Sequence, residues 1–416
     1  MPAGLFMKKQ ELIPHLFRTE YRKIVSVLCR RFGFAYIETA EDIASDTFAT
    51  AAQIWPMKGV PENPAGWLYN VAKNKAKNHL HRKGIFDEKV APSVKIESEE
   101  FNEPDIDLSP QNINDSQLQM MFAICHPSIS VESQVGLSLR VLCGFGIDEI
   151  AEAFLTNKET INKRLFRAKE RLREESIQIE IPAAAELEKR LDAVLTTIYL
   201  LFSEGCYSIS GNQAIRKELC LEAMRLCYML IENKSTDKPK VNALLALMCF
   251  HTSRFDARLN DDGSIILYDE QDSSLWNAEL ISRGGYFLNR GSIGGVLSKY
   301  HLEAAIASWS IQQADTKEKW ENILQLYNHL LQIEYSPVAA LNRTFAMAKA
   351  NGKLEAIKEA DKLNMTNNRF YFALLGELYS GIDNNKSAEN FGKAILLAKN
   401  PAERQAMQKK LARLEV

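Results

Sequence analysis

The chain has 416 residues, 46 % of them apolar and 25 % charged, with a formal net charge of −2. This composition excludes a wholly disordered chain, and the length predicts two or three domains. The longest nearly pure apolar stretch, 241–250, is too short to cross a bilayer, residues 1–10 have no apolar region behind their lysines, and the seven cysteines form no C-x-x-C pair. A reduced, cytoplasmic protein with no signal peptide, no membrane contact and no disulfide framework is therefore expected. The near-neutral total hides a strong pattern. Residues 67–83 carry net +5, residues 86–118 net −7 and residues 158–173 net +5. Two basic islands on predicted helices, flanking an acidic segment, fit either solvated faces or a polyanion partner.

The first segment, 8–83, reads as helices. Thr39-x-x-Asp42 resembles a capping box and opens a helix whose apolar face is Ile43, Phe48, Ala51 and Trp55. Pro56 to Pro61 ends it, and Asn63-Pro64 starts the next helix as N-cap and first turn. That helix should bury Leu68, Val71, Ala72, Ala76 and Leu80 and turn Asn70, Lys73, Asn74, Lys77, Asn78 and His81 outward. Residues 84–114, with prolines 92, 104 and 110 and most of the acids, read as a flexible acidic linker.

Helical periodicity resumes near Gln117. Within 147–173 lie a short helix, a turn and a longer helix, the latter opened by Thr156-x-x-Glu159. Its buried stripe is Ile161, Leu165, Ala168 and Leu172, and its outer side carries Lys158, Asn162, Lys163, Phe166 and Arg167. This is either a helix-turn-helix, whose second helix reads base edges with Arg, Lys and Asn, or an ordinary helical hairpin with a basic outside. From residue 185 to the end the chain reads as many short helices. An interruption at 256–272 contains Asp262-Gly263, a hairpin-turn signal, and the last hundred residues resemble degenerate TPR helix pairs through Leu374, Gly376, Tyr379, Ser387, Phe391, Ala394 and Pro401.

No catalytic, cofactor or metal site is expected. Asp256, Asp261, Asp262 and Asp269-Glu270-Gln271-Asp272 lack calcium-loop spacing, and Cys125-His126-Pro127 has no orienting partner. Cys206, Cys220 and Cys227 lie in apolar helical stretches and read as core.

Asp42-Ile43-Ala44-Ser45-Asp46-Thr47-Phe48 and Trp67-Leu68-Tyr69-Asn70-Val71-Ala72-Lys73-Asn74 resemble region 2 of bacterial sigma factors of the extracytoplasmic-function (ECF) group. Glu149-Ile150-Ala151 through Lys163-Arg164-Leu165-Phe166-Arg167-Ala168 resembles their region 4. Tyr199 to Gly205, Asp269 to Asp272 and Ser336-Pro337-Val338-Ala339-Ala340-Leu341-Asn342-Arg343 resemble the subgroup with a C-terminal TPR-like extension. Ser45 stands where these factors commonly carry Gln, and Leu155 where helix-turn-helix turns usually place Gly.

The resemblance implies an all-α, non-enzymatic RNA polymerase sigma factor. Its parts would be region 2 (8–83), an acidic linker (84–114), region 4 (115–176) and a TPR-like helical domain (185–416). Asp42, Ser45, Asp46 and Phe48 would dock on core polymerase. Trp67, Tyr69, Asn70, Lys73, Asn74, Lys77, Asn78, His81 and Arg82 would engage the melted −10 element. Trp67 and Tyr69 would be the stacking platform, although Trp67 is about equally suited to the core. Lys158, Thr160, Asn162, Lys163, Arg164 and Arg167 would read the −35 element, and the C-terminal groove would hold a protein or peptide. The alternative is a stand-alone helix-turn-helix regulator with a TPR-like sensor.

Overall fold

Proline, glycine and short polar side chains set the helix boundaries in a computed structural model that describes residues 9–83, 106–154, 156–207, 213–258, 266, 270–312, 314–398 and 401–414. Of residues 9–11, 80–83, 207, 213–216 and 401–403 it describes the backbone alone. No strand occurs among the described residues. The 262–263 turn, Leu155, Asp261 and Asp269 lie outside them. Two compact units divide the chain, 1–230 and 231–416.

In the first unit, α1 is Lys9–Phe32, α2 Ile37–Lys58 and α3 Pro64–Lys83. The start of α2 departs from the Thr39 reading. The helix begins at Ile37 behind Tyr36, with no side-chain cap, so Thr39 is an interior residue. Burial of Ile37 and Ala40 pulls the first turn into the helix, which outweighs the local capping signal. Gly59, at φ 87°, ends α2 one turn after Trp55, whose carbonyl accepts its N–H. Helix α3 opens as expected: Asn63 Oδ1 accepts from the Gly66 N–H at 2.9 Å, with Pro64 at the first position.

Helix α4, Pro110–Ile124, starts seven residues before Gln117, inside the stretch read as linker. Ser109 caps it and Pro110 takes the first helical position, where a missing N–H costs nothing. Helix α5 is Val131–Leu137 and runs into a π-helical turn, Ser138–Leu142, followed by α6, Ile147–Ala153, and α7, Lys158–Glu174. The cap of α7 is Asn157, not Thr156: its Oδ1 accepts from the Thr160 N–H at 2.8 Å.

Helices α8, Ala184–Tyr207, and α9, Gln213–Glu232, follow. Helix α8 packs on α4 and α5. Arg190 donates to the Phe122 carbonyl at 2.5 Å and Thr197 Oγ1 to Gln134 Oε1 at 2.8 Å. The compact boundary therefore falls at 230/231 rather than near 185.

The second unit contains α10 (Pro239–Thr252), α11 (Ala278–Gly291), α12 (Lys299–Ser310), α13 (Lys317–Ile333), α14 (Pro337–Asn351), α15 (Lys353–Leu363), α16 (Arg369–Tyr379), α17 (Asn384–Leu396) and α18 (Pro401–Ala412). From α12 onward each helix packs on the next. Side-chain caps recur at Thr316, Ser336, Asn368 and Asp383, each freeing the chain to turn and start again. One core, including Leu302, Trp320, Ile323, Leu341, Leu374 and Leu378, runs through α12 to α16.

The α16–α17 pair is the tightest of these. Ser387 Oγ donates to the Gly376 carbonyl at 2.7 Å, and a Cβ on Gly376 would lie 2.7 Å from the buried Phe391 ring. Gly376→Ala should accordingly destabilise the second unit by about 1–3 kcal/mol, the usual range for overpacking. The denaturant midpoint checks this, and an unchanged midpoint would mean that the two helices stand farther apart.

Candidate polymerase and nucleic-acid interface

Helix α2 separates its two faces cleanly. Ile37, Ala40, Ala44, Thr47, Phe48, Ala51 and Trp55 are buried, while Asp42, Ser45 and Asp46 are exposed. Two carboxylates and a hydroxyl thus lie on one accessible helical surface. Phe48 does not belong with them. It is 4 % exposed and packs edge-on against Phe17, ring centroids 5.0 Å apart. Its place in the apolar repeat holds it in the core, so its assignment as a docking contact is corrected.

Helix α3 buries Leu68, Ala72 and Ala76 and exposes Asn70, Asn74 and Asn78 as a stripe with a repeat of four. Lys73 and Lys77 are half-buried beside it. Val71, expected in the core, is also half-buried. Neither aromatic of the expected platform faces outward unengaged. Trp67 is half-buried against Trp55, centroids 5.5 Å apart, and the Tyr69 hydroxyl donates to Glu20 Oε2. Burial and the Glu20 carboxylate together push the Tyr69 phenol well above its ordinary value, so it stays a neutral donor. The side chains of His81 and Arg82 fall outside the described residues.

Helix α7 carries the second basic surface. Ile161, Leu165, Ala168 and Leu172 are buried, as their spacing predicts, and α7 packs on α5 and α6. Lys158, Thr160, Asn162, Lys163 and Arg167 are exposed, and so is Phe166 at 61 %. Lys158 pairs with Asp148 at 2.5 Å and Lys163 with Glu159 at 2.6 Å. Exposed pairs of this kind are worth under about 1 kcal/mol, so both lysines can exchange them for phosphates. Arg164 is half-buried, its guanidinium 5.4 Å from the Phe154 ring centroid, which draws it back toward α6. The basic outer surface of the helix is thus Lys158, Lys163 and Arg167, with Asn162 between them.

One group of residues is absent from the sequence reading. Glu41, 8 % exposed, accepts from Arg140 Nε at 3.2 Å and from the buried Lys169 ammonium. Arg140 also donates to the Tyr21 hydroxyl and the Phe145 carbonyl, each at 3.2 Å. One turn earlier, Glu38 pairs with Arg173. The signal lay in the spacing: Ile37, Glu41, Ala44, Phe48, Ala51 and Trp55 form one stripe with gaps of four and three, and Glu41 is its only acid. Lys169 likewise falls between Leu165 and Leu172.

The described residues among those weighed for other chemistry are buried or have local partners. Cys125 is buried, and that burial pushes its thiol up to about 11, while His126 shares a hydrogen bond with Ser128 at 2.8 Å. Cys206, Cys220 and Cys227 are buried. Glu270 pairs with Arg413 at 3.0 Å, and Asp272 accepts from the Ser274 N–H at 2.8 Å. Among the described residues no helix is long and apolar enough to cross a membrane.

Comparison with known proteins matches residues 16–85, which span most of α1 and all of α2 and α3, to Sigma-70 region 2. The chain therefore carries a Sigma-70 region 2 domain toward its N-terminus. Residues 190–292, from α8 to the end of α11, match a family of unknown function (DUF6596). A protein of Rhizobium meliloti (strain 1021), described as uncharacterized protein R00370, is 29 % identical over 376 residues, covering 89 % of this chain and 88 % of that protein. No solved structure matches.

The two faces of α2 predict opposite outcomes. Phe48→Ala should cost about 3–5 kcal/mol of stability, as loss of a core aromatic does. Asp46→Arg should stay within about 0.5 kcal/mol. Thermal and denaturant unfolding of both variants checks this, and a stable Phe48→Ala would return that residue to the surface.

Proposed function

We propose that the chain is an RNA polymerase sigma factor of the ECF type that directs promoter-specific initiation and is not itself an enzyme. The observation that carries this is the Sigma-70 region 2 domain at residues 16–85, with Asp42, Ser45 and Asp46 exposed on its second helix. In this reading those three residues dock on core polymerase. The α3 surface of Asn70, Lys73, Asn74, Lys77 and Asn78 then meets the −10 element as the duplex opens. Helices α6 and α7 act as region 4, and Lys158, Asn162, Lys163 and Arg167 enter the major groove at the −35 element. The short α6, the Asn157 cap and an exposed basic side on α7 support that role. The C-terminal helix pairs serve as a TPR-like groove in which a protein or peptide regulates activity, and the protein works in the cytoplasm.

The two basic surfaces have different work in this proposal. Arg presents a fork that matches guanine, whereas Lys is a point charge suited to phosphate. In run-off transcription with core polymerase from a library of −35 and −10 variants, Arg167→Ala should relax preference at one −35 base pair, at a cost of about 1–3 kcal/mol. Lys73→Ala should weaken all promoters nearly equally and lower the salt slope by about one. Transcription that does not depend on the added chain would refute the sigma reading. DNA binding with no affinity for core polymerase would favour the stand-alone regulator.

A further inference from the structure

We infer that the second unit pairs with a second copy of this chain along one edge of its helix stack, through an apolar row presented by three alternate helix connections. The inference goes beyond the sigma-factor reading and stands without it.

The row begins with Ile293, Val296 and Leu297, between α11 and α12. It continues with Ile333, Tyr335 and Val338 at the α13–α14 connection and with Phe370 at the start of α16. All seven are between 48 and 86 % exposed. Short connections turn each helix back on the one before, so alternate connections share an end of the stack. Lys299 at the start of α12 reaches Glu334, just past α13, at 2.9 Å and sets the first two connections side by side. At the opposite end Lys349 meets Asp315 at 3.2 Å, and Lys353 donates to the Ser380 carbonyl at 2.7 Å. Among the described residues of the connections at that end, only Leu354 and Ile382 are comparably exposed. Scattered exposed apolar side chains are ordinary, whereas a concentrated row of them marks an interaction surface.

The row is held in place. Buried His301 accepts from the Ser298 N–H and donates to the Gly291 carbonyl, each at 3.0 Å, so one imidazole pins both ends of the α11–α12 connection. Ser336 accepts from the Ala339 N–H at 3.0 Å and Asn368 from the Phe370 N–H at 2.9 Å, which fixes Val338 and Phe370 in first helical turns. A surface already ordered loses less entropy on binding.

Charge and area name the occupant. The charges beside the row are paired within the unit: Arg290 with Asp237, Lys299 with Glu334 and Lys362 with Glu359. The Arg369 guanidinium stacks on the Phe370 ring. Little charge is left to select a nucleic acid, an acidic peptide or an anionic lipid. At these exposures the seven residues present on the order of 800 Å², and a standard interface takes about 800 Å² from each partner. A second copy supplies a surface of the same neutral, apolar character and the same length. In a two-fold pair the row meets itself reversed, so the middle connection, with Tyr335, lies at the axis and faces its own copy.

The test is the mass of the full chain in solution, by sedimentation equilibrium. At about 10 μM, above the micromolar ceiling for interfaces of this size, the native chain should be a dimer. Tyr335→Asp and Val296→Lys should each make it monomeric, because a charge would then be buried against apolar groups or against its like, while the denaturant midpoint stays unchanged. Tyr335→Lys should also be monomeric alone, and an equal mixture of Tyr335→Asp and Tyr335→Lys chains should dimerise. A native chain that stays monomeric, or a dimer that persists in Tyr335→Asp and Val296→Lys, would overturn the inference. Failure of the mixture to dimerise would overturn the two-fold arrangement about Tyr335. Binding of a monomeric native chain to phosphatidylcholine vesicles, lost in the same variants, would assign the row to a lipid surface instead.

Discussion

One buried carboxylate joins three elements of the first unit. Glu41 is taken out of water on α2 and satisfied by two cations from other elements, Arg140 and Lys169. Such a group is costly to bury and costlier to leave alone: removing one partner of a buried pair typically costs about 3–5 kcal/mol. The cluster ties α2, the π-helical turn and α7 to one another through one carboxylate. A second carboxylate, Glu222 of α9, repeats the device with Arg22 at 2.6 Å and Arg225 at 2.7 Å. Burial alone would raise its pKa, but the two guanidiniums outweigh that and hold it below the ordinary value.

These contacts connect the fold to the proposed activity. The same helix α2 has one side that pairs with α7 through Glu38 and Glu41 and an adjoining side that carries Asp42, Ser45 and Asp46. The C-terminal helices, described as a unit of their own, are held mainly by a continuous apolar core.

Much of this is legible in the residues. Asn63-Pro64 announces α3, and the spacing of Ile161, Leu165, Ala168 and Leu172 gives the buried side of α7. Gly376 and Phe391 foretell a close helix pair. The departures have a common cause, namely local signals outweighed by context. Thr39 and Thr156 have capping residue types, but burial of Ile37 and the Asn157 side chain place the helix starts elsewhere. Pro110 looks like a loop residue and is a first-turn residue. Phe48 suits two roles on sequence alone, and its neighbour Phe17 settles it as core. Glu41 and Lys169 stay hidden because a charge on an apolar stripe declares itself only when its partners, far away in sequence, come into view. The end of the first unit at Leu230 depends on packing of α8 and α9 that no local signal encodes.

The most direct test of the account is promoter opening itself. Permanganate modifies thymines only where the duplex is unpaired, so reactivity near −10 reports melting rather than mere binding. The account predicts reactive thymines there when core polymerase and this chain are both present, and none with either alone. Protection of DNA by the chain without polymerase, with no reactive thymines under any condition, would contradict it.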